Sequence, residues 1–149
     1  MNENIVVYDI ETMINLFTVT FYEVLSNKYY QFVIHDLKNE SEQLYNYLEE
    51  LYNNNATLVG FNSYEFDYPV LHYMIDEHID SADLIYDKAQ SVINSMFNGI
   101  PSWKAYYKQI DLFKVNHFNN PARSQSLKGL QINMQLEDVK DMPYKHDYF

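Results

Sequence analysis

The chain has 149 residues, 47% of them hydrophobic, with no cysteine and a formal net charge of -11. That is the size of one domain with its own core, and the absence of thiols excludes a disulfide framework, a zinc–thiolate site and a cysteine nucleophile. Charge is uneven: residues 1–100 hold 16 of the 21 acids but three of the ten basic residues, which argues against a strong stand-alone DNA binder but not against a nuclease whose cations neutralise an acidic centre.

In chain order, "IVVYDI" (5–10) is a short β-rich run, and "LFTVTFYEVL" (16–25) and "KYYQFVIHD" (28–36) alternate as two further strands joined at "SNK", where Asn27 suits a turn. This predicts an antiparallel three-strand start. Asn39 and Glu42 have capping-box spacing, and Leu44, Tyr47, Leu48 and Leu51 recur at helical intervals, so an amphipathic helix is expected over 40–53. "TLVGF" (57–61) then reads as a buried strand parallel to the first, because the helix supplies the crossover. Pro69 stands near the start of a helix through "VLHYMIDEHI". Asp80 can cap a second, with Ile85, Ala89, Val92, Ile93 and Met96 as its apolar face. After a break at 98–103, a strand is expected over 108–118, a helix over 126–136 capped by Ser124 or Ser126, and a loop beyond Leu136. The class is α/β.

"VVYDIET" carries the first chemistry. Alternate residues of a strand share a face, so Asp9 and Glu11 point the same way while Ile10 faces the core. Taken plainly they are charges at a solvated strand end. Two like charges side by side are costly unless a cation compensates them, and a pair of magnesium or manganese ions can flank a scissile phosphate. Asp67, in "NSYEFD", follows the second parallel strand, where ligands gather in open α/β sheets, so it can converge with Asp9 and Glu11. Asn62 can hydrogen-bond a carboxylate or a substrate group, and Phe66 can offer an aromatic surface to a base. Helix capping by Asp67 and core packing by Phe66 are the plainer alternatives.

"DIET" (9–12) and "NSYEFD" (62–67), followed by Pro69 and Leu71, resemble the first two motifs of the DEDD-type 3′ to 5′ exonucleases. These have a ribonuclease-H-like fold, and the proofreading domains of family B DNA polymerases and related phage exonucleases are the nearest relatives. "QIDLFKV" (109–115) and "SLKGLQINMQLEDVKDMPY" (126–144) are similar to the strand and helix that follow the second motif. The resemblance implies a mixed β-sheet with antiparallel first three strands and flanking helices. Asp9, Glu11 and Asp67 would be three of four metal-binding carboxylates holding two Mg2+ or Mn2+ ions, with Thr12, Asn62 and Phe66 shaping a pocket for a single-stranded DNA 3′ end. A polymerase domain or another replication protein is the implied partner. The AT-rich codons behind the abundant Asn, Tyr, Ile and Lys suggest a low-GC bacterium or its phage, hence a bacterial or host cytoplasm.

The chain departs from the pattern at the third motif, a Tyr or His spaced before a fourth Asp on a late helix. Tyr107 to Asp111 and His78 to Asp83 have the spacing in the wrong order, and Asp147 follows Tyr144 by three residues rather than four. Asp111 and Asp147 are therefore second-tier ligand candidates. One exonuclease-like domain lacking its C-terminal helix is expected over 1–149: a fragment, an inactive relative, or a site completed by another subunit. A non-catalytic module binding nucleic acid or protein, and an enzyme degrading short RNA, are the alternatives. The five histidines show no ligand-like clustering, and Tyr64, Tyr106 and Tyr107 are candidate stacking platforms.

Overall fold

The computed structural model describes residues 4–95 and 99–114. Strand β1 (Ile5–Met13) turns back at Ile14 and Asn15 into β2 (Leu16–Glu23), which returns through a turn at Asn27 into β3 (Lys28–His35). The two-residue strand β4 (Lys38–Asn39) and helix α1 (Ser41–Asn53) follow, then β5 (Thr57–Gly60), α2 (Asp67–Glu77), α3 (Ala82–Asn94) and β6 (Lys108–Asp111). The six strands form one sheet in the order β4-β3-β2-β1-β5-β6. β1 to β4 pair antiparallel in succession, while β5 lies parallel to β1 and β6 parallel to β5. This is the mixed, helix-flanked sheet of a ribonuclease-H-like fold.

Alternation along the strands sorts the side chains. Val6, Tyr8 and Ile10 are buried and join Phe17, Val19, Phe21, Ile34 and Leu58 in one core with Leu44, Leu48 and Leu51 of α1, Leu71 and Met74 of α2, and Ile85, Ala89 and Val92 of α3. Val7, Asp9 and Glu11 have the opposite parity, and none of them is buried. The crossover between β1 and β5 is anchored by the Tyr45 hydroxyl, which donates to the Met74 and Ile79 carbonyls at the α2–α3 turn.

Several expected boundaries shift, for local reasons. β1 runs to Met13 because the tight hairpin pairs Thr12 with Phe17 and Met13 with Leu16. β2 stops at Glu23, and Val24 and Leu25 are exposed in the turn, where Asn27 adopts the left-handed conformation with φ 55°. Glu40, not Asn39, occupies the N-cap of α1; its carboxylate accepts from Val33 N–H, while Asn39 Oδ1 accepts from Ser41 N–H. Ser81 rather than Asp80 precedes α3. The strand expected over 108–118 ends at Asp111, where a helical turn over 112–114 begins; 115–118 and the helix expected over 126–136 lie outside the described residues.

Residues 101–107 are pinned to α2. The Tyr68 hydroxyl accepts from Tyr106 N–H at 2.8 Å and lies 3.1 Å from His72 Nδ1; the His72 ring stacks on Tyr106 at 4.9 Å, and Asp76 takes the Tyr106 hydroxyl and sits 3.3 Å from His72 Nε2. Tyr107 is buried, its hydroxyl donating to the Leu48 carbonyl.

Gly60 ends β5 where no side chain fits. A Cβ there would stand 2.6 Å from Ser63 Cβ and 3.3 Å from the Tyr8 ring. Gly60→Ala is expected to destabilise the domain by about 1–3 kcal/mol through overpacking, and a melting curve checks it. Unchanged melting would mean that the turn after β5 is looser than its contacts imply.

Candidate active site

The carboxyl ends of β5 and β6 lie side by side next to the middle of β1, since Val7 pairs with Val59 and Gly60 with Asp111. Acidic side chains reach this edge from β1, from the start of α2 and from the end of β6. Asp9 projects from β1 and remains partly open to solvent. Asp67 begins α2 and is buried, its Oδ2 accepting from Ile10 N–H at 3.1 Å. This bond ties the second motif to the backbone of the first across 57 residues of sequence.

Asp67 and Asp9 also hydrogen-bond each other. Burial, and then the charge of Asp9, push the Asp67 carboxyl up to about 8, against the smaller opposing pull of backbone N–H groups. Burial also raises Asp9, and its bond from Asp67 holds part of that rise back. The raised Asp67 favours its protonated form, which can donate to the Asp9 carboxylate.

Glu11 shares the outward parity of Asp9, is half-buried and is engaged by neighbouring groups. It does not complete a cage: among the described residues, no three Asp, Glu or His side chains are grouped to hold an ion. Two carboxylates still suit magnesium or manganese, which are commonly held by one or two carboxylates plus substrate phosphates and water. The donor set at Asp9 and Asp67 fits such an ion.

Asp111 has a different setting. It is buried, with Oδ1 accepting from Asn62 N–H at 2.7 Å and Phe113 N–H at 3.0 Å, and Oδ2 from Tyr64 N–H at 3.0 Å. These bonds hold Asn62 in the left-handed conformation, φ 56°, and fix the turn between β5 and α2. Asn62 itself is exposed, Phe66 precedes α2 and packs half-buried against the core, and Thr12 is half-buried next to Glu11. Asp147 lies outside the described residues. Lys114 stands 4.7 Å over the Tyr64 ring and 3.5 Å from Glu65, the one cation beside this turn among the described residues.

Sequence reasoning passed over two groups. Among the described residues, the Tyr8 hydroxyl and Ser63 Oγ are buried beside each other with no well-formed hydrogen bond. Burial, and then the charge of Asp67, push the Tyr8 phenol well above its ordinary range. The signal available was a tyrosine at an inward position of an otherwise aliphatic strand, directly before the acidic motif.

The profile of the RNase_H_2 family, described as RNase H superfamily, matches residues 6–141. The chain belongs to the RNase H superfamily. No curated protein sequence matches it. The superfamily is one of nucleases and nucleic-acid-binding domains, and its nucleases generally use Mg2+ or Mn2+. Among the described residues of this RNase H superfamily member, no helix is long and apolar enough to cross a membrane.

Proposed function

We propose that this RNase H superfamily domain is a metal-dependent 3′ to 5′ exonuclease of the DEDD type, acting on single-stranded or frayed DNA ends during replication or repair in a bacterium or its phage. The observation that carries this is the Asp9–Asp67 pair: Asp67, buried at the start of α2, accepts from the N–H of Ile10, the residue that follows Asp9 on β1. Asp9 and Asp67 would hold a divalent ion, with Glu11 on the same face of β1 as Asp9. Such an ion, once bound there, would supply Lewis-acid activation of water and charge stabilisation at the scissile phosphate. Thr12, Asn62 and Phe66 orient the terminal nucleotide, Phe66 by stacking and Asn62 from a turn whose conformation Asp111 fixes.

A second reading rests on Glu11. With only Asp9 and Asp67 drawn together, the module binds nucleic acid without cutting it. A 5′-labelled single-stranded DNA separates the two when incubated with manganese, magnesium or chelator beside an Asp9→Ala/Glu11→Ala control. A metal-dependent ladder is expected, with loss of about a thousandfold or more in the control. Intact substrate with folded protein would favour the binding module; a ladder that persists in the control would place the chemistry elsewhere.

A further inference from the structure

A pocket of about 320 Å3 opens at the other end of β5 and β6, bounded by Tyr52 and Asn53 of α1, Asn55 before β5, and Tyr106 and Lys108. Its walls are aromatic and already set. One face of the Tyr106 ring is covered by His72 at 4.9 Å and 19°, its hydroxyl is taken by Asp76 and its N–H by Tyr68, and the residue is still 41% exposed. Tyr52, also exposed, stands edge-on to that ring at 6.5 Å and 79°. A flat ring entering the pocket would meet two exposed aromatic rings, Tyr52 and Tyr106, already held nearly perpendicular to each other.

The polar groups at the rim select the kind of ring. Asn53 and Asn55 are exposed amides, each with donors and an acceptor, and the Asn55 backbone is left-handed with φ 55°. Lys108 is exposed, and among the described residues no carboxylate lines the pocket. The contrast with the cleft between α2 and α3 is direct: Glu77, Asp80 and Asp87 line that one against Lys88, an edge that repels phosphate. In a chain of net charge -11, an aromatic, amide-rimmed pocket with a lysine and no acid suits a nucleobase and its phosphodiester.

We infer that this pocket is a nucleobase subsite that holds a single-stranded nucleic acid upstream of the end being processed. The inference rests on the nuclease reading for the identity of the strand, not for the pocket. Lys108 and Asp111 bound β6, so the subsite lies on the order of 10 Å or more from the carboxylate edge, about three phosphate spacings of a stacked strand. The pocket therefore serves substrates several nucleotides long and leaves the terminal nucleotide to the other end of the sheet.

The test is fluorescence anisotropy of a labelled single-stranded DNA of about a dozen nucleotides, in chelator so that nothing is cut, with natural chain, Tyr52→Ala, Tyr106→Leu and Lys108→Gln. Tyr52 is exposed, so its truncation leaves the core intact, and a melting curve verifies each variant. Either tyrosine variant is expected to bind about five- to 150-fold more weakly, and Lys108→Gln to lower the salt slope by about 0.7. Equal binding by the natural chain and both tyrosine variants, or no binding by the natural chain, overturns the subsite. Binding that is lost with Tyr52 in a protein that never cuts DNA would overturn the exonuclease and keep the subsite.

Discussion

In chelator at about pH 9, Asp67→Asn is expected to melt at a higher temperature than the natural chain, with the gap closing as the pH falls toward 4. The ordinary carboxyl value of 3.8 describes Asp67 in the unfolded chain, and the folded value is about 8. Between the two, the folded state holds a proton that the unfolded state has released, so stability falls as pH rises and the loss is complete above about 8. A displacement of that size in a buried group corresponds to several kcal/mol, of the order of a third of a typical domain's stability. Asparagine is the neutral isostere of the protonated acid: its oxygen can accept from Ile10 N–H and its amide can donate to Asp9. The variant keeps both bonds and never ionises. It also loses the carboxylate that would hold a cation, a trade of function for stability common where like charges are forced together. A variant no more stable than the natural chain at high pH would mean that Asp67 is not held against its charge.

Asp111→Ala is expected to cost about 3–5 kcal/mol, a fall in melting temperature on the order of 10 °C, because it strands three backbone N–H groups that one buried carboxylate now satisfies. Asp111→Asn is expected to cost less, about 1–3 kcal/mol, since its oxygen can still serve Asn62 and Phe113 while its amide faces the Tyr64 N–H. Urea unfolding of both variants checks the order. Stability unchanged in Asp111→Ala, together with loss of metal response, would instead make Asp111 a ligand and its backbone bonds incidental.

The features legible in the sequence were those with a period. β2 and β3 alternate, α1 repeats its leucines along one face, and the apolar run at β5 after a helix dictates parallel pairing. β4 escaped because two residues carry no period, and its formation depends on His35 and Ile34 of β3 being in reach. β1 looked finished at Ile10 because Glu11 and Thr12 are polar, yet β2 supplies partners for both. The acids separate in the same way. Asp9 and Glu11 sharing a face follows from strand geometry alone, and Asp67 falling near them follows from topology. That Asp67 bonds to the Ile10 backbone and is raised by burial and by Asp9, and that Asp111 braces a turn, depend on distances that only the folded chain sets. The Tyr68–His72–Asp76–Tyr106 web joins residues with no common motif, so no spacing could announce it.

The central claim is that Asp9 and Asp67 form a divalent-cation site, and the most direct measurement is the melting temperature with and without manganese at about neutral pH, for the natural chain and for Asp9→Ala. At about a hundredfold excess over the dissociation constant, binding to the folded state alone stabilises by roughly 2.7 kcal/mol, a rise of about 5–10 °C for a domain of this size. The natural chain is expected to show that rise and Asp9→Ala to show none. An equal rise in both, or none in the natural chain, would contradict the site.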